Sequence, residues 1–147
     1  MLFQSESAEC GLACIGMVLN HYGRHIDMAA LRAQNGLSLK GVTLRQLIEV
    51  ARCHGLVSRP LRLELKELKQ LQLPCILHWQ LNHFVVMIRI NGNILTIKDP
   101  AVGLCRISLE EVSRKFTGVA LELSPGVDFR QERAKPSVSF RQLAGSI

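Results

Sequence analysis

The segment "HFVVMIRINGNILTIKD", residues 83–99, constrains the fold more than any other part of this chain. Two runs rich in β-branched and apolar residues flank Asn91-Gly92, a pair that accepts the positive φ angles of a tight hairpin. One strand therefore begins at His83 and its antiparallel partner ends at Asp99. If the loop is Asn91, Gly92 and Asn93, facing residues have numbers that sum to 184, and Val85 opposes Asp99. His83 is then a diagonal neighbour of Asp99 on the same face, about 7–8 Å away between backbones and within side-chain reach. A two-residue loop would put the two side chains on opposite faces unless a bulge restored the parity.

The first half has a different texture. "CGLACIGMVLNHY", 10–22, carries apolar residues at helical spacing and is followed by Gly23, so a helix is expected to start at Cys10. Asp27 can cap a second helix over "MAALRAQN", closed by Gly36. "TLRQ" at 43–46 is a Thr/Gln capping box for a third, ending near Gly55. From Leu56 onward "LVSRPLRL", "CILHW" and "GVALEL" join the hairpin as strands, while "ELKELKQL" reads as a short helix. "SLEE" at 108–111 caps one more helix, reaching Phe116. Helices first and an antiparallel sheet second predict an α+β fold. The chain of 147 residues suits one domain, expected over 1–127, before the polar "SPGVDFRQERAKPS" leads into a linker over 128–147.

Composition narrows the function classes. The net charge of +6 invites a nucleic-acid reading, but the basic residues are scattered, and the segment "RQERAK" also carries Glu132. Neither Tyr22 nor Trp79 sits in a basic cluster suited to base stacking. No apolar run approaches the length of a membrane span, and the N-terminus lacks the pattern of a signal peptide. Five cysteines, at 10, 14, 53, 75 and 105, contain no C-x-x-C pair, which points to a reducing compartment. His21 and His25 are four apart and Cys53 adjoins His54, but Gly23 interrupts the first pair and neither has zinc-site spacing.

Cys10 can be a buried structural thiol, a metal ligand or a nucleophile. At a helix N-terminus, unpaired N–H groups and the positive end of the dipole favour thiolate, which sets Cys10 apart from Cys53, Cys75 and Cys105. A cysteine nucleophile needs a base and a group to orient it, and His83 with Asp99 can supply both. Each has an ordinary alternative: a core histidine bonded to backbone, and a turn initiator before Pro100. The amide of Gln4, with the backbone N–H of Cys10, can donate to a developing oxyanion. Cys14, one turn further along, is the candidate structural thiol.

The motifs "QSESAECGLAC", "HFVV" and "DPAVG", in that order, resemble those of the bacteriocin-processing cysteine peptidases, family thirty-nine of the papain-like clan. The similarity runs from about Phe3 to Leu123, takes in "NHYG", "PCILHW" and "FTGVALEL", and is greatest to exporters of the colicin V and microcin type. "CGLAC" departs from the "CGSCW" form of papain itself. The resemblance implies a papain-like fold, with Cys10 as nucleophile, His83 as base, Asp99 as the orienting residue and Gln4 in the oxyanion hole.

It also implies cleavage of precursor peptides after a Gly-Gly or Gly-Ala pair that ends an amphipathic leader. A narrow slot that excludes side chains larger than a methyl would account for that requirement. An apolar groove for the leader helix is expected, and Trp79 is a candidate for it, with core packing as the alternative. No cofactor is expected for the peptidase chemistry; ATP would serve a separate nucleotide-binding domain. The implied partners are the precursor and the transmembrane and nucleotide-binding domains of one transporter, dimeric when complete, on the cytoplasmic face of the bacterial inner membrane. The rival expectation is a related domain that binds the secretion substrate without cutting it.

Overall fold

The computed structural model describes residues 7–35, 42–127 and 129. Three helices come first: α1 (Ser7–His21), α2 (Met28–Asn35) and α3 (Leu44–Cys53). Six strands follow: β1 (Leu56–Arg62), β2 (Cys75–Trp79), β3 (His83–Asn91), β4 (Ile94–Asp99), β5 (Gly103–Ser108) and β6 (Phe116–Pro125), with α4 (Leu109–Lys115) between the last two. The strands form one antiparallel sheet in the order β1-β6-β2-β3-β4-β5. The α+β expectation holds.

The local signals explain the element starts. Asp27 accepts from the Ala30 N–H at 2.8 Å, and Thr43 and Gln46 form the reciprocal capping box, with bonds of 3.1 and 2.8 Å. Ser108 accepts from the Glu111 N–H at 3.2 Å at the head of α4. α1 starts at Ser7, three residues earlier than the spacing suggests, so Cys10 lies inside its first turn instead of opening it. Glu9 in that turn suits the positive end of the dipole. "LKELKQ" is a 3₁₀ turn over Leu65–Gln70.

Both faces of the sheet are covered where β2 and β3 run, which is why "CIL" and "FVVM" are continuous apolar runs without alternation. One core joins Ile15, Leu19 and Leu47 of the helices to Ile76, Phe84, Val86 and Leu121; the other holds Leu77, Val85, Met87, Leu95 and Val112. Gly11 lets α1 meet α3 closely: a Cβ there would stand 2.6 Å from Val42 Cγ1 and 2.7 Å from a Leu47 methyl.

The hairpin register is built differently from the three-residue loop expected. Asn91 pairs with Ile94, so the turn is the two residues Gly92-Asn93, with Gly92 at φ +61°. A bulge between Met87 and Arg89 then changes the register, and Val86 faces Lys98. Beyond the bulge the numbers of facing residues sum to 184, and the parity that puts His83 and Asp99 together is restored.

β5 is the element the sequence signals missed. Only Gly103 and Leu104 of it are near a recognisable turn, and its exposure pattern is irregular because it is an edge strand. None of the described helices is long and apolar enough to cross a membrane. Packing extends past residue 127, since the Phe129 ring meets Tyr22 edge-on at 6.4 Å. Residues 128 and 130–147, expected as a linker, lie outside the described residues.

Candidate active site

Two sequence-distant segments meet at the end of the sheet where β3 starts and β4 stops. His83 Nε2 donates to Asp99 Oδ1 at 2.7 Å. The same oxygen accepts the Ala101 N–H at 2.8 Å, and the Val102 N–H reaches the Asp99 carbonyl at 3.1 Å. Asp99 is thus both the turn initiator before Pro100 and the partner of His83; the turn holds the carboxylate still for the ring. Cys10, brought alongside by α1, is hydrogen-bonded to His83. With Nε2 on the carboxylate, Nδ1 is the ring nitrogen left for the thiol.

A thiol, an imidazole and a carboxylate in series are the parts of a cysteine nucleophile with its base and orienting group. The profile of the Peptidase C39 family matches residues 1–128. The chain belongs to that family.

Its C39 relatives include the colicin V secretion/processing ATP-binding protein of Escherichia coli, 46% identical over all 147 residues. The chain spans about a fifth of that protein, 21% of its length. Among solved structures, a double glycine motif protease from an AMS/PCAT transporter, crystallised with the leader peptide, superposes with a TM-score of 0.79 at 37% identity, over 85% of this chain and 90% of that one. The peptidase domain of Streptococcus ComA gives 0.76 at 30% identity, over 84% and 96%. The fold of this C39 domain is the papain-like one, helices packed on an antiparallel sheet.

Charge follows from these contacts. The Asp99 hydrogen bond, then the Cys10 hydrogen bond, raise the His83 pKa from 6.5 to about 9 against the opposing cost of partial burial. For Asp99, burial pushes upward as the largest single influence. The His83 bond, the Ala101 N–H and the charges of His83 and Lys115 together outweigh it and hold the carboxyl below its usual range. The imidazolium is therefore favoured at neutral pH, with the buried Cys10 beside it.

The other cysteines behave as structural thiols or bystanders, and none forms a disulfide. Burial, then the charges of Cys10 and Asp99, raise Cys14 well above the ordinary thiol value; Cys75 is pushed up to about 12 by burial and by Glu122. Cys53 is exposed. Among the described residues no group of three His, Cys, Asp or Glu side chains could hold a metal.

Two expected site residues fall elsewhere. Gln4 lies outside the described residues. Trp79 is only 4% exposed, packed edge-on against Phe116 at 6.3 Å. It ends β2 opposite His83 and belongs to the second core, which is the core-packing alternative.

Sequence reasoning missed Arg32, whose guanidinium pairs with the buried carboxylate of Glu9 through two bonds, Nε to Oε2 and Nη2 to Oε1, the second at 3.1 Å. This fork ties α2 to the turn of α1 that carries Cys10. Glu9 beside the cysteine was the available signal, but nothing local pairs it with a residue 23 positions away.

Proposed function

We propose that this domain is a cysteine endopeptidase that removes the leader of a bacteriocin or microcin precursor, cutting after a Gly-Gly or Gly-Ala pair, within an ABC exporter. The observation that carries the proposal is the continuous contact from Cys10 through His83 to Asp99. A domain that only docks its cargo has no use for a carboxylate held in a turn against a histidine that touches a thiol.

In this mechanism the Cys10 Sγ forms a bond to the carbonyl carbon of the second small residue, and the carbonyl electrons move to the oxygen. The Cys10 N–H and Gln4, assigned from the family resemblance, are the oxyanion donors. As the C–N bond breaks, His83 gives its proton to the leaving amine. His83 then takes a proton from water, whose oxygen attacks the thioester and releases the leader with Cys10 regenerated. Asp99 keeps Nε2–H oriented and stabilises the imidazolium in both half-reactions. The chemistry requires no cofactor; ATP is consumed by a separate domain of the transporter.

The leader is bound as an amphipathic helix, and the partners in the exporter are transmembrane and nucleotide-binding domains at the cytoplasmic face of the inner membrane, assembled as a dimer. Relatedness to secretion/processing ATP-binding proteins of several times this length supports that placement.

The test is cleavage of a precursor with a double-glycine leader by the purified domain and by Cys10→Ala. The parent is expected to release leader and cargo, with no product from the variant. Product from Cys10→Ala at the parental rate would overturn the assignment.

A further inference from the structure

The connection between β2 and β3 turns through Gln80, Leu81 and Asn82, with Trp79 and His83 paired across its base. Leu81 has φ +64° and ψ +29°, and Asn82 has φ +56°. Left-handed backbone suits glycine and is tolerated by asparagine, whereas a leucine Cβ crowds the following carbonyl there. Leu81 gains no burial in exchange, since it is 97% exposed. Folding thus explains the asparagine and leaves the leucine without a structural reason.

The loop is braced. The ring of His78 meets Thr117 Oγ1 at 2.9 Å and Asn82 Oδ1 at 3.1 Å, and the Thr117 hydroxyl donates to the His78 carbonyl at 3.1 Å. His78 also packs against Phe84, with ring centroids 4.9 Å apart. Across the same end of the sheet, Val102, 66% exposed, sits in the turn that follows Asp99. The loop before His83 and the loop after Asp99 therefore each hold an apolar side chain out into water.

We propose that Leu81, with Val102 on the neighbouring loop, binds the cargo side of the substrate: the first one or two residues after the cut, in extended form, with an apolar side chain. The inference rests on the peptidase reading of the site. His83 delivers its proton to the leaving amine, so that amine lies against the His83 ring. The chain attached to it then leaves past the loops that carry His83 and Asp99, while the leader side stays with the acyl carbon on Cys10. An apolar contact of this kind discriminates by about 10- to 200-fold when enclosed, and a rim contact belongs at the low end.

The experiment compares two precursors that differ only at the first two cargo positions, leucine in one and serine in the other. The parent is assayed beside Leu81→Asn and Leu81→Gly, both of which accept the left-handed backbone. The parent is expected to favour the leucine precursor about tenfold in kcat/KM, mainly through KM. Both variants should lose that preference. An unchanged ratio in the variants, or no preference in the parent, overturns the role of Leu81 while leaving the peptidase reading intact. Failure of the parent to cut either precursor overturns the peptidase reading, and the inference with it.

Discussion

His83 and His54 are both drawn back from water, yet their protons are held in opposite ways. His83 touches Asp99 and Cys10, and its pKa rises to about 9. His54 is 3% exposed, and among the described residues neither of its ring nitrogens has a hydrogen-bond partner; burial, then the charge of Arg24, push its pKa down. Burial alone disfavours the imidazolium. The carboxylate brought across from the end of β4, and after it the Cys10 hydrogen bond, reverse that for His83, which is why one histidine can run acid–base chemistry and the other stays neutral.

The sharpest break in the comparison is His83→Ala, expected to lower kcat by at least about 10⁴-fold, whereas His54→Ala should change kcat by no more than about twofold. Single-turnover cleavage of the precursor measures both. Asp99→Asn keeps an acceptor for the Ala101 N–H but removes the charge. A loss of about 10²- to 10⁴-fold is expected, with the basic limb of the pH–rate profile moving from about 9 toward 6.5. A limb that stays near 9 in Asp99→Asn would dissociate His83 from its carboxylate.

Stability carries the same signature. His83 binds its proton more tightly folded than unfolded, so its contribution is complete below about pH 6.5 and is lost as pH rises through about 9. Asp99 is shifted the other way, so its contribution is present above its ordinary value of 3.8 and lost as pH falls below that. The melting temperature of the parent should fall between pH 7 and 9.5, and His83→Gln should flatten that fall. The smallest effect belongs to His54→Met. Removing two unpartnered buried nitrogens should leave stability within about 1 kcal/mol of the parent, on the stabilising side, by urea unfolding at pH 7.

Most of the site was legible in the sequence because its parts carry local signals. Cys10 opens an apolar helical run, His83 and Asp99 bracket a hairpin, and the capping residues Asp27, Thr43 and Ser108 mark where helices begin. The Asp-Pro turn and the ion pair were separate alternatives for Asp99, and the structure makes one carboxylate serve both. Trp79 kept two alternatives in the sequence because an aromatic residue near a strand end reads the same whether it faces a groove or a core. In the second core it packs edge-on against Phe116, 37 positions away, and no pattern in "CILHW" encodes that contact. Leu81 escaped notice because a leucine beside a histidine gives no hint of a positive φ.

By itself the sequence determined the elements whose free energy is local: the capped helices, the strand-forming runs and the glycine turn at Gly92. Those choices rest on backbone dihedrals and on hydrogen bonds spanning three or four residues. The tertiary structure decided what depends on distant partners. It set β6 between β1 and β2, shifted the β3–β4 register by a bulge, locked Arg32 onto Glu9 and gave His83 its proton. Each of these is a contact between residues far apart in the chain, and its energy exists only once the core has brought them together.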